Sequence, residues 1–238
     1  MNRNKKPVSS TKEEKIGGIA LYLSLISLLI LSLSNIFAII TLVPSFDLNT
    51  LTNLIIALPA IAVGFILALF FIPEKTFVFM HETKHAVISG LAGNRWKKMH
   101  IENDSGHFEY AYSKQTAHFN AMIALAPYFV PLITIPLLAM SVVAFYQYHR
   151  LIVLIGSLAY GVDLFSNIRD IDPRQTDFSV IRGGFFVGLS YVTLANIFIF
   201  TILLAWCCFD LPGLKHLALV FWQLVEKVIA WRLLFNKP

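Results

Sequence analysis

The chain has 238 residues, of which 57% are hydrophobic and only 14% are charged, and its formal net charge is +5. Soluble domains carry roughly 25% charged residues, so this composition excludes an ordinary soluble domain and, with several long apolar runs, predicts a membrane protein. Nucleic-acid binding is also disfavoured, because no basic stretch is both long and free of acidic residues. The positive charge is that expected of basic residues beside membrane segments.

The first part of the chain predicts a tail and two spans. Residues 1–15 are polar and basic, and we predict that they form a disordered cytoplasmic tail. Residues 16–43 form an apolar run that is too long for the core of a signal peptide, so they are predicted to remain as the first membrane span. Residues 51–72 are predicted to be the second. The loop between the spans has no Lys or Arg and is therefore expected on the side opposite the tail.

A more polar region follows the second span. Residues 76–91 predict a helix of moderate length that contains the sequence His-Glu-Thr-Lys-His. Two stretches of alternating character flank a turn signal at residues 103–106 and predict a β-hairpin. Because this segment is basic, we expect the preceding helix to enter from the cytoplasmic side without fully crossing. The hairpin is either a plain cytoplasmic loop or an exposed strand edge that captures an extended peptide.

The second half of the chain is again apolar. Its predicted spans are residues 119–146, 151–166 and 185–206. Residues 214–234 fit an interfacial amphipathic helix or a final, imperfect span. The sequence predicts an all-α multi-pass membrane protein with about five to six transmembrane helices and a small β-hairpin after the motif-bearing helix. We divide the part after the tail into a membrane-embedded region, residues 16–208, and a C-terminal interfacial or membrane helix, residues 209–238.

His81 and His85 stand four residues apart in the predicted helix, so they share one face with Cβ atoms about 5–6 Å apart. Two imidazoles in this arrangement can bind one Zn²⁺ at about 2.0–2.1 Å. Glu82 lies beside the pair, where it can take a proton from water at the metal and pass it to a leaving amine. This is the H-E-x-x-H pattern of zinc metalloproteases. The alternative is that both histidines lie at headgroup level, paired with lipid phosphates or with Glu74.

A zinc site of this type needs a third protein ligand, with the fourth position left for water. The acidic candidates later in the chain are Asp163, Asp170, Asp172 and Asp177. We favour Asp163, because an intramembrane carboxylate costs about 2.5–3.5 kcal/mol without a cation or metal partner; an ion pair with Arg169 is the alternative. Asp177 is the second choice, although helix capping explains it equally well. Asn167, one helical turn after Asp163, is a candidate for orienting a ligand or binding substrate backbone.

Taken together, these features resemble the site-2-type intramembrane zinc metalloproteases and the wider clan of membrane zincins. The resemblance covers roughly residues 60–180. The features that carry it are the HETKH helix, Gly93, the hairpin turn Asp104-Ser105-Gly106, the Ala124-Leu125-Ala126-Pro127 opening of a proline-containing segment, and the late intramembrane aspartate. The chain departs from the family pattern in two ways. Lys84 stands where a glycine is common, and the Leu-Asp-Gly motif that usually carries the third ligand does not occur in the sequence.

The resemblance implies that His81 and His85 are zinc ligands and that Glu82 is the catalytic acid/base. It also implies cleavage of a membrane-bound protein or peptide substrate within the lipid bilayer. The alternatives are a non-catalytic zinc-binding membrane scaffold and, third, an ion or solute transporter whose His and Asp residues line a path. Glu82 favours the endopeptidase, since neither alternative needs a general base there. The compact chain and the resemblance together indicate the bacterial inner membrane as the location.

Overall fold

A computed structural model describes residues 15–144 and 148–235. Its helices are α1 (Ile19–Leu42), α2 (Leu48–Phe71), α3 (Glu74–Leu91), α4 (Asn120–Leu125), α5 (Thr134–Ala144), α6 (His149–Ile168), α7 (Thr176–Ser179) and α8 (Gly184–Phe235). Its strands are β1 (Arg95–Ile101) and β2 (Gly106–Ala111). Residues 1–14 of the predicted tail lie outside the described residues, as do residues 145–147 and 236–238.

Four of the described helical segments are long and apolar enough to cross a membrane. They are Ile19–Ser45, Leu48–Phe71, His149–Ile168 and Gly184–Lys227. Each reaches the roughly 20 residues that a span needs. The mostly helical, multi-pass membrane architecture is therefore confirmed, whereas the expected count of five to six spans is not. The charged motif makes α3 too polar to count as a span, and the 11 residues of α5 are too few.

The prediction of one long span over residues 119–146 is wrong. In its place the chain forms α4, a 3₁₀ turn at Ala126–Tyr128, an irregular stretch, and then α5. Pro127 and Pro131 explain the breaks, because proline has no N–H to donate and its ring clashes with the preceding helical turn. As a result α4 and the 3₁₀ turn pack against α3, which brings this segment to the motif.

The helices α2 and α6 approach until their backbones nearly touch. A Cβ atom on Gly64 would lie 2.0 Å from the carbonyl oxygen of Leu158, and one on Gly161 would lie 2.1 Å from that of Ile61. Small residues at such crossings let membrane helices pack closely, which matters where lipid is as apolar as the helices themselves. This contact fixes α6, the helix that carries two of the predicted site residues.

The long helix α8 consists of two helices joined at Asp210, where φ is 56° and ψ is −143°, and Pro212 follows this break. The helix packs along α1. Within that contact the amide of Asn35 donates to Oγ1 of Thr201 at 3.0 Å. The break at Asp210 lies next to the predicted boundary between the membrane-embedded region and the C-terminal helix.

The predicted β-hairpin is confirmed. β1 and β2 pair antiparallel, with Ile101 opposite Gly106 and Arg95 opposite Ala111. The two strands are joined by a tight turn in which the N–H of Glu102 donates to the carbonyl oxygen of Ser105 at 2.8 Å. The hairpin packs against α3, so the motif-bearing helix contacts both the hairpin and the α4 segment.

Candidate metal centre

His81 and His85 lie on one face of α3, as their spacing predicts. Their rings meet edge to face, with centroids 5.1 Å apart. The two side chains are only 16% and 12% exposed. Burying two imidazoles side by side is unfavourable unless polar partners compensate for the lost water. The polar groups around the pair therefore indicate which role it can have.

A carboxylate from a distant part of the chain completes a group of three. Oδ2 of Asp177, in the short helix α7, lies 3.3 Å from Nε2 of His81 and 3.6 Å from Nε2 of His85. The ligand atoms that these three residues offer all lie within 4.8 Å of one another, and they form the one such group found among the described residues. Asp177, the second choice for the third ligand, is thus the acidic residue that the fold brings to the histidines.

The two contacts of Asp177 have the length expected between ligands of a shared tetrahedral ion, and the ligand atoms of the two histidines lie within 4.8 Å of each other. Ligand atoms at 2.0–2.1 Å from a tetrahedral zinc are about 3.3–3.4 Å from one another. The contacts of Asp177 with the two histidines, at 3.3 and 3.6 Å, lie close to that edge length and are longer than the usual 2.7–3.2 Å of an N–H···O hydrogen bond. The donor set of two imidazole nitrogens and one carboxylate oxygen is also one that zinc accepts.

Both histidines have a polar neighbour at their other ring nitrogen, and for His85 a hydrogen bond fixes which nitrogen faces the group. Nδ1 of His85 lies 2.7 Å from the carbonyl oxygen of Ile123. A carbonyl can only accept, so Nδ1 carries the hydrogen and Nε2 is left free to bind a metal. Nδ1 of His81 lies 3.7 Å from Oδ2 of Asp170. Outer carboxylates and carbonyls of this kind commonly orient metal-binding histidines.

Tyr128 links the aspartate to the histidine helix. Its hydroxyl donates to Oδ2 of Asp177 at 3.0 Å, and its ring meets that of His81 edge to face with centroids 5.5 Å apart. The side chain is fully buried at the end of the 3₁₀ turn that contains Pro127. No sequence pattern singled out Tyr128, and its place directly after residues 124–127 was the available signal.

In the metal-free protein, the positive charge of His81 and the negative charges of Asp170 and Asp177 stabilise one another. Burial alone lowers the pKa of His81, but the carboxylates of Asp170 and Asp177 outweigh it and raise that pKa to about 9. Burial alone raises the pKa of Asp177, but its contacts with His81 and His85 hold it well below the ordinary value. With a pKa of about 9, His81 favours its protonated form in the metal-free protein, so a metal that bound here would have to displace that proton.

Glu82 lies on the wall of a cavity of about 320 Å³ together with the three candidate ligands. Its side chain is almost fully buried, and among the described residues no hydrogen bond to it is found. Burial is the main cause that raises the pKa of Glu82 above its ordinary value. A buried carboxylate that lines the same cavity as a metal-type group suits the role of a general base.

The hairpin forms the opposite wall of this cavity through the residues of β2. Gly106 packs directly on the candidate base: a Cβ atom there would lie 2.6 Å from Cγ and 2.8 Å from Oε1 of Glu82. His107, Phe108 and Tyr110 continue the wall. The glycine of the predicted turn therefore has a second role, since it lets the strand approach the base.

A second cavity of about 240 Å³ adjoins His81, Glu82 and Gly106 from another direction. Its wall includes the carboxylates of Glu74 and Asp170. Arg169 binds both, with Nε 2.8 Å from Asp170 Oδ1 and its other contact to Glu74 Oε1. The predicted alternatives that paired Glu74 with the histidines, or Arg169 with an intramembrane aspartate, are therefore not what the structure shows.

The prediction that places Asp163 beside the histidines is wrong. The side chain is fully buried, and its carboxylate accepts from the N–H of Ile133 at 3.0 Å and from the N–H and Oγ1 of Thr134 at 2.8 Å each. These amides belong to the start of α5, where no helical partner exists and no water is at hand in a membrane. Asp163 therefore compensates for the helix break after Pro131 and needs no metal.

Asn167 also lies apart from the cavity. It is fully buried, so the predicted role in binding substrate backbone does not fit its position. Its Oδ1 accepts from Nζ of Lys84 at 2.7 Å. Lys84, the residue that departs from the family pattern, thus points away from the histidine pair and into the helix bundle. The remaining acidic candidate, Asp172, binds Arg174 at the surface.

No protein-family model, no curated protein and no solved structure matches this chain significantly.

Proposed function

We propose that the chain is a zinc-dependent endopeptidase of the membrane, with His81, His85 and Asp177 as metal ligands and Glu82 as general base. The observation that carries the proposal is the convergence of Asp177 on the histidine pair at spacings that suit one tetrahedral ion. The placement of Glu82 in the same cavity favours catalysis over a scaffold or a transporter, since neither of these requires a base there.

The donor set supports zinc as the metal. Two imidazoles and one carboxylate resemble the His₂Glu set of known catalytic zinc sites, whereas Mg²⁺ and Ca²⁺ prefer oxygen ligands alone. Three protein ligands leave a fourth position on the side of the cavity. Zinc held there would supply a Lewis acid and would lower the pKa of a water molecule toward ~7.

Glu82 would carry the proton transfers of peptide hydrolysis. It takes a proton from the water molecule that attacks the scissile carbonyl carbon, and it delivers that proton to the amide nitrogen as the C–N bond breaks. The raised pKa of Glu82 suits both steps, because a base works best when its pKa lies near that of the group it serves. The histidines and Asp177 stay in place throughout.

The cavity suits an extended segment of a membrane protein or peptide. An intact transmembrane helix hides its amides, so a substrate must unwind before Glu82 can reach it. The strand β2 lies along the cavity and offers backbone groups to such a segment. We place the protein in a cell membrane, the bacterial inner membrane by the resemblance, with the tail and hairpin on the cytoplasmic side as their basic residues predict.

The test compares the wild type with Glu82→Gln, which keeps the shape of the side chain and removes the base. Zinc in the purified proteins is measured by mass spectrometry, and new protein N-termini are mapped in membranes that carry either protein. We expect equal zinc in both, and N-termini that appear with the wild type alone. Glu226→Gln is the matched control, because Glu226 is exposed on α8, where it binds Trp222 at 2.7 Å.

The other outcomes separate the competing functions. Equal zinc together with identical N-termini in wild type and Glu82→Gln would leave a zinc-binding scaffold. A wild type that holds no zinc would remove the metal centre itself. Cleavage that persists at the wild-type rate in Glu82→Gln would falsify the role of Glu82.

A further inference from the structure

Lys84 is a fully buried cation with neutral partners. Its ammonium group donates to the carbonyl oxygen of Pro127 at 3.2 Å, to Oγ of Ser166 at 2.9 Å and to Oδ1 of Asn167 at 2.7 Å. An ammonium group has three donors, so all of them are used. No carboxylate lies within ion-pair distance of Lys84 among the described residues. Burying a charge in this way costs more free energy than burying an apolar side chain. This cost indicates that Lys84 has a role beyond packing.

The bonds of Lys84 continue through the bundle to the candidate metal centre. Nδ2 of Asn167 donates to Oδ1 of Asn196 at 3.1 Å, and Nδ2 of Asn196 donates to the carbonyl oxygen of Tyr128 at 2.7 Å. The hydroxyl of Tyr128 then donates to Oδ2 of Asp177 at 3.0 Å. We call Lys84, Asn167, Asn196 and Tyr128 the relay. It joins α3, α6, α8 and the 3₁₀ turn.

The direction of the relay is determined by its two ends. An ammonium group can only donate, so Asn167 must present its oxygen to Lys84 and its NH₂ to Asn196. A backbone carbonyl can only accept, so Asn196 must present its NH₂ to Tyr128 and its oxygen to Asn167. Both amides therefore have one orientation that satisfies every bond, and a single reversed group breaks the chain.

The position of Lys84 on α3 explains why it can act on the metal centre without touching it. At about 100° per residue, Glu82 and Lys84 point to opposite sides of the histidine face. Glu82 faces the hairpin and the cavity, and Lys84 faces the bundle and holds the 3₁₀ turn through Pro127 as well as through the relay. The 3₁₀ turn that bears Tyr128 is therefore held at two points, the carbonyl oxygen of Pro127 and the carbonyl oxygen of Tyr128.

Asp177 needs this support because the helix that carries it is very short. The helix α7 has only four residues and lies between α6 and α8, so local backbone structure does little to aim the carboxylate. A metal ligand must be held within about 0.5 Å of its working position by the groups behind it. Tyr128 supplies such a group through its hydroxyl.

We propose that Lys84 is a positioning residue of the metal centre. Through the relay it fixes Tyr128, and Tyr128 holds Oδ2 of Asp177 on the histidine pair. The inference rests on the proposed metal ligands but not on peptide hydrolysis. It gives a role to the lysine that stands where the resembled family commonly has glycine.

The sharpest test is Asn167→Asp, measured as the zinc Kd of the purified full chain by competition with a chromophoric chelator. The substitution keeps an acceptor for Lys84 and adds an opposite charge, so the fold is retained. It removes the donor to Asn196. The amide of Asn196 must then either face the new carboxylate with its oxygen, or turn and lose its bonds to the carbonyl oxygens of Tyr128 and Val192. We expect zinc binding about 10- to 100-fold weaker, as for other outer-shell changes, in protein that still unfolds cooperatively.

A double-mutant cycle tests whether the relay acts as one unit. Tyr128→Phe alone should weaken zinc binding to a similar extent. Combined with Asn167→Asp it should weaken binding little further than the stronger single change, because both interrupt the same chain of bonds. Lys84→Met should behave like these variants if it folds.

Asn35→Leu is the control, because it removes a buried amide bond to Thr201 elsewhere in the bundle. It should lower Tm and leave the zinc Kd unchanged. A zinc Kd within about twofold of the wild type in Asn167→Asp, or independent effects in the cycle, would overturn the relay while leaving the metal centre intact. A wild type that binds no zinc would instead contradict the metal centre, and the relay with it.

Discussion

Oδ2 of Asp177 lies 3.3 Å from Nε2 of His81, although 96 residues separate them in the chain. The same oxygen lies 3.6 Å from Nε2 of His85. Among the described residues, the α-helices α4, α5 and α6 and the hairpin lie along the chain between the histidines and the aspartate, so the group exists only when the bundle is assembled. Zinc binding should therefore respond to changes at Asp177 and be indifferent to acidic residues that lie elsewhere.

Asp177→Asn should abolish tight zinc binding. The amide is a much poorer zinc ligand than a carboxylate, so we expect a loss of more than about 100-fold, beyond the range of outer-shell changes. The measurement is the zinc Kd by chelator competition. Asp172→Asn is the matched control, since Asp172 is five residues away and binds Arg174 at the surface; its zinc Kd should equal that of the wild type. Full zinc affinity in Asp177→Asn would exclude the proposed third ligand.

Asp163→Ala should destabilise the protein without removing zinc. The change leaves the N–H groups of Ile133 and Thr134 unpaired inside the bundle, and each buried unpaired group costs about 1–3 kcal/mol. Thermal unfolding in detergent should show a lower Tm, while the zinc content per chain stays at the wild-type value once folded protein is isolated. Loss of zinc at an unchanged Tm would instead favour the ligand role that the sequence predicted.

Gly106→Ala should impair cleavage and spare zinc. The added methyl group would press on Glu82, with Cβ 2.6 Å from its Cγ, and must move either the base or the strand. A displacement of about 1 Å in a catalytic group can reduce the rate up to about 100-fold. The readout is the rate at which the mapped N-termini appear, set against the zinc content. Gly90→Ala is the control, because nothing lies within 4 Å of that position; activity that is equal in both variants would contradict the contact.

Gly161→Ala should loosen the packing of α6 on α2. A methyl group at this position would lie 2.1 Å from the carbonyl oxygen of Ile61, so the helices must separate at a cost of about 1–3 kcal/mol. Gly156→Ala, on the same helix, meets its nearest neighbour at an ordinary 3.6 Å and should be close to neutral. The comparison of their Tm values checks the prediction, and equal values would show that the close approach is not required.

Local patterns predicted the parts of the site that lie within one element. The spacing of His81 and His85 is a property of a single helix, and the turn signal at residues 103–106 specifies a hairpin through its own backbone preferences. Asp163 shows where such reasoning fails. A carboxylate in an apolar helix needs a partner, but the sequence does not say whether that partner is a metal, an arginine or the free amides of a broken helix.

The sequence by itself determined the membrane class, the histidine pair, the carboxylate beside it and the hairpin, because each follows from composition or from the period of one element. The tertiary structure alone decided that Asp177 joins the histidines, that Asp163 binds the free amides at the start of α5, and that Lys84 binds Asn167 inside the bundle. These outcomes depend on which helices pack together, and that packing is set by contacts such as Gly64 with Leu158 between segments far apart in the chain. The motif at residues 81–85 therefore indicates the candidate metal chemistry, and the assembled bundle brings Asp177, the proposed third ligand, to the two histidines.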